Sequence, residues 1–301
     1  DHALELTEPR ILMGDSRRLE RAGNINTDIA IIDFDNSPEF FAPNEVSRTK
    51  TKVLEDDPAL ILFTSGTTGR AKGALLSHRG LIGFVDGTVH NAQEKTTIVL
   101  RQLGIDPATL PAHQDVVLAT SPLFHVSGLL AGVLMNMANG TKIVFRQGRF
   151  DPEDVLKLIE KEKVTNWTAI GDMGPRVMSH PDLLKFDTSS LTRMSSGGAH
   201  LSEYMREQIG KYFPQAEASI GQGYGSSESC GVVSSIGGQE FKEHPSSAGK
   251  TCMGFDIEIR DENNNPVQDG NEGEIHVKSP YTMLKYWGNP EATRETLKSG
   301  R

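Results

Sequence analysis

Ten residues, Thr64-Ser65-Gly66-Thr67-Thr68-Gly69-Arg70-Ala71-Lys72-Gly73, separate two apolar runs, Ala59-Leu60-Ile61-Leu62-Phe63 and Ala74-Leu75-Leu76. No helix persists through so many glycines and hydroxyl side chains. The flanking runs are short, apolar and bounded by turn residues, so both read as strands. Glycines let backbone N–H groups turn inward and approach an anion closely. The hydroxyls of Thr64, Ser65, Thr67 and Thr68 add donors, and Lys72 adds a point charge suited to phosphate. Arg70 and Ala71 separate Gly69 from Lys72, and a strand follows. A Walker A loop instead runs Gly-Lys-Ser/Thr straight into a helix. The expected phosphate grip is therefore a loop between strands, without a helix dipole.

The rest of the chain alternates strand and helix signals. Ile29-Ala30-Ile31-Ile32 reads as a buried strand, and Ser77 reads as the N-cap of a helix from His78. Val116–Ala119, Lys142–Phe145 and Val164–Ile170 read as further strands, and Leu129–Met137 as an apolar helix. Asp151-Pro152 combines a cap with a first-turn proline, ahead of Val155, Leu156 and Ile159 at helical spacing. A further helix starts at Ser202, with Met205, Ile209 and Phe213 on one face. After residue 240, Phe255, Ile257 and Ile259 alternate with charged residues, turn at Asn263–Pro266, and pair back through Glu274–Val277. The alternation points to an α/β sheet covered by helices, followed after residue 240 by an antiparallel, barrel-like lobe.

Length and charge narrow the function. At about 150 residues per domain, 301 residues suggest two domains or one large one with lobes. The net charge of −9 disfavours a phosphate-backbone binder, so no nucleic-acid partner is expected. The longest apolar stretch, Gly128–Met135, is far short of the ~18 residues of a membrane helix. Cys230 and Cys252 cannot build a disulfide framework and form no CxxC pair, which points to reduced thiols and a cytoplasmic setting. The chain opens Asp1-His2-Ala3 and stops at Lys298-Ser299-Gly300-Arg301, so both ends read as cuts in a longer protein.

Four more segments follow the loop in a telling order. They are Pro122-Leu123-Phe124-His125-Val126-Ser127-Gly128, Ser196-Gly197-Gly198-Ala199, Gly223-Tyr224-Gly225-Ser226-Ser227-Glu228, and Gly273-Glu274-Ile275 through Tyr286-Trp287. With the loop, they resemble the ordered motifs of the adenylate-forming superfamily across residues 59–290. Within it, Ile170-Gly171-Asp172-Met173 and Tyr224–Glu228 look most like bacterial fatty-acyl-CoA ligases.

The resemblance implies a two-step reaction and an α/β acyl-CoA-synthetase-like N-terminal domain: two helix-covered sheet lobes, 1–115 carrying the loop at 64–73 and 116–240, plus part of an antiparallel β-barrel lobe at 241–301. A carboxylate attacks the α-phosphate of Mg-ATP, giving acyl-adenylate and pyrophosphate. The thiol of coenzyme A then takes the acyl group. Thr64, Ser65, Gly66, Thr67, Thr68, Gly69 and Lys72 resemble the holders of the β- and γ-phosphates, with Thr67 and Lys72 counted as catalytic. Glu228 resembles the Mg²⁺ carboxylate, as suits a hard cation. Gly223, Tyr224, Gly225 and Ser226 belong to the adenine-stacking segment, with Tyr224 the stacked ring. Ser227 stands where the family usually carries Thr and is expected to reach the α-phosphate. Gly198 and Ala199 resemble backbone contacts to the base, followed by His200 where Pro is common. His125 resembles a residue lining the acyl tunnel beside the reacting carboxylate, and it and Glu228 are counted as catalytic with Thr67 and Lys72. No acidic residue in that stretch could pair an ammonium, so the expected acid lacks an α-amino group and is read as fatty. An acyl-AMP ligase feeding a carrier protein, or a non-catalytic nucleotide- or lipid-binding remnant, remain the alternatives. The ribose-binding Asp and the small C-terminal domain with its adenylation lysine are expected beyond Arg301. The chain alone is therefore expected to bind ATP weakly and turn over poorly.

Overall fold

A computed structural model describes residues 2–23, 29–42, 51–64, 70–109, 114–197 and 200–298. The first elements are helix α1 (His2–Thr7), strand β1 (Ile11–Gly14), helix α2 (Ser16–Ala22) and strand β2 (Ala30–Asp33). Strands β1 and β2 pair in parallel as a small sheet of their own. The expected burial of the Ile29–Ile32 run does not hold, because a two-stranded sheet covers little of either face and Ile31 stays 59% exposed.

Strands β3 (Pro58–Thr64) and β4 (Lys72–Ser77) form an antiparallel hairpin in which Thr64 is the register partner of Lys72. The hydroxyl-rich segment thus joins two strands, as its flanks predict. Helix α3 (His78–Gln102) starts where Ser77 Oγ accepts the Gly80 N–H at 3.1 Å.

The main sheet takes strands β5 (Val116–Ala119), β6 (Lys142–Phe145), β7 (Asn166–Ile170), β8 (Arg193–Gly197), β9 (Gly221–Ser226), β10 (Gly231–Gly237) and β11 (Lys250–Thr251). Its order is β11-β10-β9-β8-β7-β5-β6, parallel from β6 to β9 and antiparallel beyond. Helices α4 (Met135–Ala138), α5 (Pro152–Glu162), α6 (Met173–Met178), α7 (Glu203–Tyr212) and α8 (Gly238–Glu243) lie between its strands in sequence. Asp151 caps α5 by accepting the Glu153 and Asp154 N–H groups. Val155, Leu156 and Ile159 are then fully buried, each contributing about 2 kcal/mol. Trp167 lies in the same core, its indole N–H donating to Thr120 Oγ1 at 3.0 Å.

The expected apolar α-helix over Leu129–Met137 is instead a π-helix over Ser127–Leu134 that tightens into α4. Buried Asn136 explains the wide turn, since its side-chain amide donates to the carbonyls of Ala131 at 2.8 Å and Gly132 at 3.0 Å. Periodicity alone cannot separate these two helix types.

The last elements are an antiparallel pair, β12 (Asp256–Arg260) and β13 (Glu274–Lys278), then β14 (Lys285–Tyr286) and helix α9 (Pro290–Thr296). Two strands cross the expected boundary at 240: β11 extends the main sheet, and β14 joins the β3–β4 hairpin. A second core crosses the boundary at 115 as well, joining Leu62, Leu76 and Phe84 to Val126, Leu130, Cys230, Met283 and Tyr286. Among the described residues no helix is long and apolar enough to cross a membrane.

Candidate active site

Open parallel sheets bind ligands outside the carboxyl ends of their strands, where the strand order reverses. Here the chain moves from β5 to β6 on one side, then returns to place β7 on the other side of β5. The motif Pro122–Gly128 follows β5, Gly171-Asp172-Met173 follows β7, Ser196-Gly197 ends β8, and Gly223–Glu228 ends β9. Four segments scattered over a hundred residues of sequence therefore emerge at one end of one sheet.

Ser65, Gly66, Thr67, Thr68 and Gly69 lie outside the described residues, as do Gly198 and Ala199. Thr64 and Lys72 close the hairpin beneath the loop, and the Thr64 hydroxyl donates to the Lys72 carbonyl at 3.4 Å. The Lys72 ammonium lies 5.2 Å from the centre of the Tyr286 ring. The Tyr286 hydroxyl donates to Glu228 Oε1 at 2.5 Å. The loop base and the acidic residue thus meet at one buried phenol.

Backbone bonds hold that meeting in place. The Met283 N–H donates to the Glu228 carbonyl, the Leu284 N–H to Leu75, and the Trp287 N–H to Gly73, at 2.7, 2.8 and 2.7 Å. Tyr286 pairs with Ala74 in register, and its own N–H donates to Thr293 Oγ1 at 3.0 Å. Asn289 caps α9, fixing Thr293 in turn. Burial, and then the bond and charge of Glu228, push the Tyr286 hydroxyl well above its ordinary pKa, so it stays a donor. Among the described residues neither Lys72 nor Glu228 forms an ion pair.

Tyr224 is 43% exposed near the end of β9, between two glycines. Gly225 has no room for a side chain, because a Cβ there would fall on the Gly231 carbonyl of β10. The turn after β9 is tied by Ser226 and Ser229, whose N–H groups and hydroxyls bond each other at 2.9 and 3.1 Å. It ends at Cys230, in the left-handed region with φ +57°. Ser227 is buried within this turn, and its side chain forms no hydrogen bond among the described residues.

His125 is exposed after β5. Its Nδ1 accepts the Ser127 N–H at 3.2 Å and lies 2.9 Å from the Ser127 hydroxyl. That pairing assigns the ring proton to Nε2, which has no hydrogen-bond partner among the described residues. Leu123 and Phe124 beside it are 48% and 77% exposed.

The donor set fits magnesium with a nucleotide triphosphate. Magnesium is usually held by one or two carboxylates plus water and substrate phosphates, not by an all-protein cage. Glu228 offers one carboxylate oxygen not taken by Tyr286, and Lys72 offers a phosphate partner. Among the described residues no group of three or more His, Cys, Asp or Glu could hold a metal by itself. Sequence reasoning did not assign Tyr286 a role; its place in the segment Gly273–Trp287 was the available signal.

The chain matches the family described as AMP-binding enzyme over residues 1–287. It is a member of this AMP-binding family. A protein named 4-coumarate--CoA ligase-like 9 from Arabidopsis thaliana is 31% identical over 304 residues, 98% of this chain and 50% of that relative. A feruloyl-CoA synthase of an Amycolatopsis species is 31% identical over 245 residues, 81% of this chain and 45% of that relative. This chain spans about half the length of the curated relatives it matches. Among solved structures, the N-terminal domain of FACL13 from Mycobacterium tuberculosis superposes with TM-score 0.80 at 21% identity, covering 99% of this chain and 71% of that one. The O-succinylbenzoate coenzyme A synthetase MenE of Bacillus subtilis, in complex with ATP and magnesium ion, gives 0.77 at 24% identity, covering 99% and 56%. These structural likenesses carry the fold: an acyl-CoA-synthetase-like N-terminal domain of mixed α/β build.

Proposed function

We propose that the protein containing this chain activates a carboxylic acid with Mg-ATP, releasing pyrophosphate, and passes the acyl group from the adenylate to coenzyme A, releasing AMP. The observation that carries this reading is the approach of Lys72 and Glu228 to one tyrosine, Tyr286, with neither charge neutralised by an ion pair among the described residues. Such transfer is mostly positioning and charge stabilisation. Lys72 engages phosphate oxygens, Glu228 holds magnesium, and the exposed ring of Tyr224 stacks on adenine. Ser65–Gly69 complete the phosphate grip, and Gly198 and Ala199 contact the base. Ser227 donates to the α-phosphate. The Nε2–H of His125 bonds an oxygen of the acid. Bound magnesium neutralises charge on the phosphates.

The acid carries no α-amino group. The sequence resemblance favours a fatty acid, whereas the names of the relatives favour an aromatic one, and the aromatic reading is adopted here. Two cysteines that remain free thiols support a cytoplasmic setting.

Pyrophosphate exchange with a panel of hydroxycinnamic, benzoic, fatty and amino acids tests the reading. Exchange with an aromatic acid is expected. A preference for fatty acids would overturn the aromatic assignment, and a preference for amino acids would overturn the substrate class. Coenzyme A and a phosphopantetheine carrier protein, offered as competing acceptors, separate a CoA ligase from an acyl-AMP ligase.

A further inference from the structure

Lys72 and Glu228 carry opposite charges and approach the same side chain, yet they form no salt bridge with each other. Both meet at Tyr286. Its hydroxyl takes Oε1 of Glu228 at 2.5 Å, and its ring sits 5.2 Å from the Lys72 ammonium. A phenol is an unusual choice for gripping a carboxylate, because lysine or arginine would bind it with charge as well as a hydrogen bond. It has one consequence that a cation would not. A neutral donor orients the carboxylate and leaves its full negative charge available.

We propose that Tyr286 is a positioning residue for magnesium-dependent ATP binding: its hydroxyl fixes one oxygen of Glu228 and leaves the other to the cation, while the face of its ring supports the ammonium of Lys72, which stays available to phosphate. The inference rests on the reading of the site given above and assigns it a residue that acts through two others.

The phenol is itself held tightly. Tyr286 is 5% exposed, pairs with Ala74 of β4, and donates its N–H to Thr293 Oγ1. The Met283 N–H binds the Glu228 carbonyl, so the same segment anchors both the backbone and the side chain of Glu228. Strand β14 is hydrogen-bonded to β4 just after Lys72. One short strand therefore sets the geometry of both charged groups, through packing and backbone bonds that a ligand need not form.

Isothermal titration of ATP into the full-length protein at graded magnesium concentrations, for wild type, Tyr286→Phe and Tyr286→Leu, tests this. Phenylalanine keeps the ring and removes the donor. The magnesium concentration at half-maximal ATP affinity is expected to rise about tenfold in Tyr286→Phe, recovering to within about twofold of wild type at saturating magnesium. In Tyr286→Leu, which also loses the ring, ATP affinity is expected to stay reduced even at saturating magnesium. An unchanged half-point in Tyr286→Phe overturns the proposal. So does an equal loss of affinity at every magnesium concentration, which is what a purely structural tyrosine would show. Failure of the wild type to bind ATP with magnesium dependence would instead overturn the adenylation reading, whatever the variants do.

Discussion

The hydroxyl of Tyr286 lies 2.5 Å from Oε1 of Glu228, a bond that spans 58 residues of sequence and joins β14 to the turn after β9. Around it gather the end of the β3–β4 hairpin at Thr64 and Lys72 and the end of the main sheet. This junction, more than any single motif, turns separate sequence signals into one site.

Glu228→Gln retains an oxygen acceptor for Tyr286 and removes the charge. Stability is expected to change by less than about 1 kcal/mol, while magnesium-dependent pyrophosphate exchange falls about 100-fold. Denaturant melts beside exchange assays check both parts. Retention of near-wild-type exchange would remove Glu228 from the metal role.

Lys72→Met keeps the apolar stem and removes the ammonium. The KM for ATP is expected to rise about tenfold, and the dependence of ATP binding on ionic strength should weaken. Steady-state kinetics across a salt series provide the measurement. A change confined to the acid's KM would place Lys72 elsewhere in the reaction.

Gly231 has φ +131°, and a Cβ there would strike the ring of Phe84. Gly231→Ala therefore combines backbone strain with overpacking. Urea melts should show a loss of about 2–3 kcal/mol. A stability equal to wild type would mean that β10 can shift without disturbing the second core.

Alkaline pH should destabilise the fold through two groups. Burial pushes the Cys230 thiol up to about 12, and Tyr286 is raised as well. The folded protein keeps both protons where the unfolded chain releases them, so the native state binds more protons and stability falls as pH rises. The effect begins near pH 9, the ordinary range of an exposed thiol. By about pH 10.5 the thiol alone accounts for roughly 2 kcal/mol. Melting temperatures from neutral to high pH should fall less steeply in Cys230→Ala. Parallel curves for the two proteins would show that the thiol contributes nothing.

Much of the site was legible before any fold was known. Thr64 and Lys72 flank a glycine- and hydroxyl-rich stretch whose apolar borders can only be strands, and these pair as a hairpin. Asp151, Ser77 and Ser202 announce their helices because capping is a local hydrogen bond. The π-turn at Ser127–Leu134 was not legible, since it depends on Asn136 reaching back to two carbonyls that a polar residue in an apolar run does not reveal. The exposure of Ile31 was equally hidden, because an apolar run is the same in a two-stranded sheet as in a covered one.

The sequence by itself determined the strand-loop-strand at Ala59–Leu76, the capped helices and the order of the motifs that resemble the family's, because those properties reside in side-chain chemistry and local spacing. Only the tertiary structure decided that Lys72 and Glu228 share a tyrosine. That relationship depends on β14 pairing with β4 and on Met283 bonding the Glu228 carbonyl, contacts between segments far apart in sequence that no local pattern encodes.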